Sequence, residues 1–321
     1  MTRRIPGGDE AFDDALRVVR MYYLLGLTTT EIAKQIGLAR PTVSRLLSWA
    51  RENGLVEFRI NDHRERQLSI ETKLEELFHL ADVKVVPCPP DQRVEDRQRN
   101  VAAFTAHYLN GLVKAGSTIS LAWGATISLL ARSLIPKPLP GVTIVQMNGS
   151  GNSGLGTEFA AEIISTFAQN YSAATHLLPI PAYFDDPSTK EAMFRERSIR
   201  RIRAIAETAQ ILLFSIGAPD ADSYVYRAGY VENRELTALR SQGVVGDIGA
   251  VFFRADGSYK DIEMNLRSSG PDLATLASHQ HAICLVAGEK KLDGLRGALR
   301  GGFLNTLIID QPTAELLATS A

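Results

Sequence analysis

At 321 residues the chain has room for one small and one larger domain, each with its own core, and is too long for a single small module. Its 35 Lys and Arg against 36 Asp and Glu leave a net charge of -1, so any contact with nucleic acid has to come from a local patch. Cys88 and Cys284 stand far apart without metal-ligand spacing, and no run approaches the roughly 18 apolar residues of a membrane span; a disulfide framework and a membrane partner are excluded, and a cytoplasmic location is expected.

The first domain spans residues 1–61. Residues 13–60 read as helices with short polar connections, ending in an apolar alternation at Leu55, Val56, Phe58 and Ile60 that predicts a small wing. Residues 28–48, TTTEIAKQIGLARPTVSRLLS, carry the strongest local signal. Thr28 and Glu31 stand at capping-box spacing. Ile32, Ile36, Leu38, Val43 and Leu46 fall where two short crossed helices need apolar side chains, with small Ala33 at their contact and Gly37 in the turn. Pro41 lies in the first turn of the second helix, where a missing amide hydrogen is harmless. This is the pattern of a helix-turn-helix. Its second helix presents Arg40, Thr42, Ser44 and Arg45, types that read base edges or hold phosphates in the major groove. With Thr29 and Pro41 these are the expected DNA-binding residues, and operator DNA is the expected partner. A solvated basic hairpin is the plainer reading, and the completeness of the spacing weighs against it. One motif covers few base pairs, so a dimer or tetramer is expected.

Residues 62–82 read as a linker helix with Ile70, Leu74 and Leu77 at i, i+4, i+7, a stripe for a second copy or for the chain's own larger domain, the second copy being slightly preferred. From residue 83 to 321, β-branched runs alternate with helical segments: 83–86, 118–122, 142–147, 174–178, 211–216, 251–253, 282–286 and 306–309. That alternation predicts a doubly wound α/β domain with a largely parallel sheet and a ligand at the strands' carboxyl ends. Three turns follow separate strands: Gly124, Ala125 and Thr126; Asn148 and Gly149; and Gly217 with Ala218. Their free amides suit an anion or sugar oxygen. Asp247 can accept from sugar hydroxyls, while Asn265, Arg267 and Lys291 can donate to hydroxyl or phosphate oxygens; each can instead serve a surface ion pair. His279 and His281 are spaced to share a strand face, but a third ligand is lacking and a surface or structural role is preferred to a metal. Residues 195–203, RERSIRRIR, read as a solvated amphipathic helix or an oligomer contact. No cofactor and no catalytic residues are expected.

With those residues in view, the chain resembles the SorC/DeoR-type sugar-binding transcriptional regulators over nearly its whole length. The resemblance is carried by residues 21–60 and by SLAWGATI, MNGSGN, SIGAP, YRAGY, GVVGDIGAVFF, MNLRSSG, VAGEKK and ALRGGFLNTLIIDQPTAELL. It implies a winged helix-turn-helix joined to an effector domain similar to phosphosugar isomerases, a tetramer, and a sugar, polyol or sugar-phosphate effector that relieves repression, with activation also open. It departs from the family at Ala39, where a Ser is common, and at Ala287, Gly288 and Glu289, where the loop is one residue shorter. The shorter loop leaves Lys290 and Lys291 as alternatives for the ligand lysine, Lys291 being preferred. An enzyme acting on phosphosugars, carrying an accessory DNA-binding domain, is the alternative function. It lacks a visible nucleophile and base. A non-specific architectural DNA protein is a third reading, disfavoured by the near-neutral charge.

Overall fold

The computed structural model describes residues 8–56, 63–89, 91–150, 154–220, 226 and 229–319. The chain divides into two units, Met1–His63 and Arg64–Ala321.

In the first unit, α1 (Gly8–Val19) runs on through one π turn (Arg20–Leu24), followed by α2 (Thr29–Ile36) and α3 (Arg40–Glu52). Val18 and Met21, then Ile32 and Ala33, then Val43, Leu47 and Ala50 bury together, one group from each helix, which fixes the crossing of α2 and α3. The start of α2 is locked at both ends of its capping box: Glu31 N donates to Thr28 Oγ1 at 3.3 Å and Thr28 N donates to Glu31 Oε2 at 2.8 Å. Gly37 ends α2 at φ 73°, a left-handed conformation that glycine adopts without a Cβ penalty. Leu55 and Val56 pack on this core. Phe58 and Ile60, the rest of the expected wing, lie outside the described residues.

The second unit begins within α4 (His63–Phe78) and its described residues include the strands β1 (Asp82–Val86), β2 (Thr118–Leu121), β3 (Thr143–Gln146), β4 (Ala174–His176), β5 (Ile211–Ser215), β6 (Val244–Ile248), β7 (Val251–Arg254), β8 (His281–Val286) and β9 (Thr306–Asp310). Seven of them form one sheet in the order β1-β9-β8-β5-β2-β3-β4, every pair parallel. Between them run α5 (Val94–Leu112), α6 (Ala125–Arg132), α7 (Gly154–Tyr171), α8 (Pro187–Arg195), α9 (Arg197–Glu207), α10 (Asn233–Ser241), α11 (Glu263–Leu266), α12 (Leu273–Leu276), α13 (Leu292–Arg300) and, last, α14 (Gln311–Thr319). Side chains alternate across the strands into two cores. Ile119, Leu213, Ile283 and Ile308 bury on the side of α5, α6 and α7, while Leu212, Phe214, Cys284 and Ile309 bury on the side of α4, α13 and α14.

Two expectations are corrected. Residues 251–253 do not join the parallel sheet: β7 pairs antiparallel with β6, a strand the sequence pattern did not reveal. Gly249 and Ala250 both take positive φ, 55° and 71°, the two-residue hairpin geometry, and so short a connection cannot return a parallel strand. His279 and His281 do not share a strand face either. His279 precedes β8, with its Nδ1 2.8 Å from Ala209 O.

The linker helix belongs to the second unit and closes its sheet edge. β1 is an edge strand, and its outward amides are satisfied by α4: Glu71 Oε1 accepts from Val85 N at 2.7 Å and Glu75 Oε1 accepts from Val83 N at 3.0 Å. Gln67 Nε2 donates to Val85 O in the same row. The adjacent row of the helix, Ile70, Leu74 and Phe78, packs into the core beneath, with Leu74 fully buried. Of the two readings of the apolar stripe, packing on the chain's own domain therefore accounts for Ile70 and Leu74, and Leu77 stays exposed. A carboxylate cap of this kind removes a template for unwanted strand pairing. Glu71→Ala leaves the Val85 amide unpaired and is expected to lower stability by about 1–3 kcal/mol in urea denaturation, with Glu71→Gln, which keeps an oxygen acceptor, costing less.

Candidate functional site at the carboxyl edge of the sheet

The connections leave β2 toward β3 and β4 and leave β5 toward β8 and β9, in opposite directions. At that divergence the carboxyl ends open on a cavity of about 750 Å³, a volume suited to a small molecule. After β2 the chain turns at Gly124, φ 150°, into α6, whose first amides carry no side-chain cap. After β5, Gly217 is stitched to the β6–β7 hairpin: Gly217 N donates to Asp247 O at 3.0 Å and Asp247 N donates to Gly217 O at 3.1 Å. A Cβ on Gly217 would stand 2.0 Å from Asp247 Oδ1, so a side chain here would displace the Asp247 carboxyl. After β8, the loop through Gly288 leads to Lys291.

Among the polar side chains that line the cavity, Lys291, Asp247 and Asn148 carry the largest desolvation. Lys291 Nζ donates to Thr126 Oγ1 at 3.1 Å and to Ser215 Oγ at 3.0 Å. Ser215 Oγ itself donates to Leu285 O at 2.6 Å, which leaves its lone pairs for the ammonium. Burial of the ammonium lowers the Lys291 pKa, against the opposing pull of Cys284 and Asp247. Burial likewise pushes the Asp247 carboxyl up to about 6, despite the bond from Ala250 N and the nearby Lys291 charge. Asn148 is 2% exposed, and its Oδ1 has no hydrogen-bond donor among the described residues. A buried acceptor without a donor is costly and is what an arriving hydroxyl would complete. Donors at Lys291 and α6 together with acceptors at Asp247 and Asn148 suit a small polyhydroxylated or anionic molecule.

Seven of the ten effector residues expected from the sequence line this cavity: Gly124, Ala125, Thr126, Asn148, Gly217, Asp247 and Lys291. The other three are not among its lining residues. Gly149 is a spacer, where a Cβ would meet Ile180 O and Pro181 O at 2.4 Å. Asn265 is spent on backbone, accepting from Phe252 N at 2.8 Å and donating to Phe252 O at 2.8 Å and Tyr259 O at 2.7 Å. Arg267 is paired with Glu235 at 2.7 Å. Lys290 also reaches the lining, beside Lys291. Sequence reasoning missed Ser215, Glu289 and, from α5, Val94 and Gln98. The SIGAP and VAGEKK segments contain the first two, whereas nothing local marks the α5 residues. Among the described residues no three His, Cys, Asp or Glu side chains converge as a metal site.

In the first unit, Arg40, Pro41, Ser44 and Arg45 are exposed on α3, and Thr29 and Thr42 are half-buried. Arg45 Nη2 lies 3.4 Å from Thr42 Oγ1, and among the described residues neither Arg40 nor Arg45 pairs with a carboxylate. Ala39 caps α3 without a side-chain bond.

A helix-turn-helix unit followed by a doubly wound domain with a ligand-sized cavity at its switch point defines a DNA-binding regulator with a sensor domain. Known proteins agree at both ends of the chain. The family model described as "Putative sugar-binding domain" matches residues 62–318, and that of the IclR helix-turn-helix domain matches residues 25–59. The deoxyribonucleoside regulator of Bacillus subtilis is 33% identical over 304 residues, covering 94% of this chain and 96% of its own. The full-length sorbitol operon regulator SorC from Klebsiella pneumoniae superposes with a TM-score of 0.73 at 26% identity, covering 97% of this chain and 100% of that one. A domain of a possible sugar-binding transcriptional regulator from Arthrobacter aurescens TC1 gives 0.73 at 37% identity, covering 79% and 97%. The chain belongs to the SorC/DeoR-type family of sugar-binding transcriptional regulators. It is a transcriptional regulator.

Asp247 makes the stability of the fold depend on pH. The carboxyl titrates near 6 in the folded chain and near 3.8 when unfolded, so the native state holds the extra proton between these values. Its contribution to stability is complete below the unfolded value and is lost as pH rises through the folded one, by about 3 kcal/mol at most. Asp247→Asn is expected to flatten this fall, which denaturant midpoints at about pH 5 and pH 7.5 would reveal.

Proposed function

We propose that this chain is a cytoplasmic, ligand-responsive regulator, a repressor in its unliganded form, of an operon for carbohydrate or polyol use. The cavity at the carboxyl edge receives the effector, a sugar, polyol or sugar phosphate. The observation that carries this reading is the Asn148 Oδ1, without a donor among the described residues, in the same cavity as the buried Lys291 ammonium and the Asp247 carboxyl. Such groups cost stability where they lack partners, and a ligand with several hydroxyls and one anionic end compensates all three. The names of the relatives, a deoxyribonucleoside regulator and a sorbitol operon regulator, point to the same class. Gly124, Ala125, Thr126 and Gly217 supply the surrounding backbone.

On the DNA side, α3 is the recognition helix, with Arg40, Thr42, Ser44 and Arg45 toward the major groove and Thr29 and Pro41 beside the backbone. Two or four copies read repeated half-sites, since a single motif is too short for specificity. Effector binding changes operator affinity by favouring one arrangement of the assembly over another.

Two measurements test the reading. Arg45→Ala in the full chain is expected to weaken operator binding by about 1–3 kcal/mol in a mobility-shift titration, with an unchanged melting temperature. Unaltered operator affinity would remove α3 from the interface. A thermal-shift screen of sugars, polyols and their phosphates is expected to find a ligand that stabilises the wild type, and Asn148→Ala and Lys291→Met are expected to lose most of that shift. Equal shifts in all three proteins would place the effector elsewhere.

A further inference from the structure

Arg97 does not line the cavity, yet it holds the loop that supplies Lys291. It lies on α5 and is 5% exposed. One nitrogen of its guanidinium, Nη2, donates to both carboxylate oxygens of Glu289, at 2.8 and 2.9 Å. The other, Nη1, donates to Asp310 Oδ2 at 2.5 Å, and Asp310 is fully buried at the end of β9. Asp310 also reaches the loop directly: its Oδ1 accepts from Gly288 N at 3.0 Å, an amide that Thr313 Oγ1 shares at 3.2 Å. Two consecutive loop residues are thus clamped, Gly288 through its main chain and Glu289 through its side chain, immediately ahead of Lys290 and Lys291. The clamp also presses the loop onto α5. Gly288 takes φ 98°, and a Cβ there would fall 2.7 Å from the Val94 side chain, itself part of the cavity wall.

We propose that Arg97 is a positioning residue for the effector pocket: by bridging Glu289 and Asp310 it sets where the Lys291 ammonium sits between Thr126 and Ser215. The inference rests on the proposed role of the cavity. It adds a residue that neither touches the ligand nor is marked by any local sequence pattern. Arginine suits the task because its planar fork serves two carboxylates at once, which a lysine ammonium on a flexible stem does not reproduce. The same bridge neutralises Glu289, a half-exposed carboxylate on the cavity wall that would otherwise repel an anionic ligand.

The test follows Lys291 itself. In full-length protein with 13C-labelled lysine side chains, the Lys291 ε-carbon signal is assigned by its loss in Lys291→Arg. Arg97→Lys and Glu289→Gln are each expected to move that signal and to raise its titration midpoint toward that of an ordinary lysine, as the ammonium regains water. The shift is smaller in Glu289→Gln, where the Asp310 contact survives. Leu109→Ala on the same helix destabilises the fold without touching the bridge, and its Lys291 signal is expected to stay at the wild-type position. Should Arg97→Lys fail to fold, Glu289→Gln alone decides, because Glu289 is partly exposed and its loss is mild. An unmoved Lys291 signal in the folded variants, or an equal movement in Leu109→Ala, would overturn the proposal. A moved signal combined with a thermal-shift screen in which no sugar, polyol or phosphate ester binds would uphold the positioning role and reject the cavity as the effector site.

Discussion

A parallel sheet obliges every strand to leave by the same edge, and every return to cross outside the sheet through a helix or a long connection. In this chain that obligation covers all seven strands of the main sheet, and most of the other features follow from it. The loops after β2, β3, β5 and β8 come from segments up to about 165 residues apart, as the Lys291–Thr126 bond shows, and are delivered to one opening. The alternation of Leu212 and Leu213, or of Ile308 and Ile309, into opposite cores is the packing side of the same constraint, because both faces have to be covered.

The edge so formed tolerates groups that a core would not. Lys291, Asp247 and Asn148 each carry a desolvation penalty, and only the first is met by two hydroxyls. Behind them, Arg97 and Asp310 form a buried pair that also engages Glu289 and the Gly288 amide, while Arg97 Nε has no partner among the described residues. A buried charge is retained where its geometry serves something besides stability, since an apolar substitute would usually be as stable. Here the pair lies immediately behind the loop that lines the cavity. The β6–β7 hairpin is a second such device: it stands apart from the main sheet, and its bridge to Gly217 brings Asp247 to the opening.

Helix α4 joins these properties to the rest of the chain. Its row of Gln67, Glu71 and Glu75 replaces the neighbour that β1 lacks, and its row of Ile70, Leu74 and Phe78 anchors it from below. The segment that follows the helix-turn-helix is thereby attached to the edge strand of the sensor sheet by side-chain hydrogen bonds as well as by apolar contact.

Much of this was written in short stretches of sequence. Thr28 with Glu31, Gly37 and Pro41 announced the helix-turn-helix because each acts within three or four residues of itself, and the β-branched runs announced seven of the eight expected strands in their correct sheet. That Gly124, Thr126, Gly217 and Lys291 line the cavity at the carboxyl edge was legible because they follow those strands. What only the tertiary structure decided was partnership at a distance. Asn265 and Arg267 look as able to hold a ligand as Lys291, and they are spent on Phe252, Tyr259 and Glu235 because the chain brings those groups to them. Arg97 meets Asp310 across 213 positions, and Leu74 faces its own domain and not a second copy. Periodicity and turn chemistry act between neighbours along the chain, whereas a side chain's final partner is set by which distant segments the sheet order places beside it.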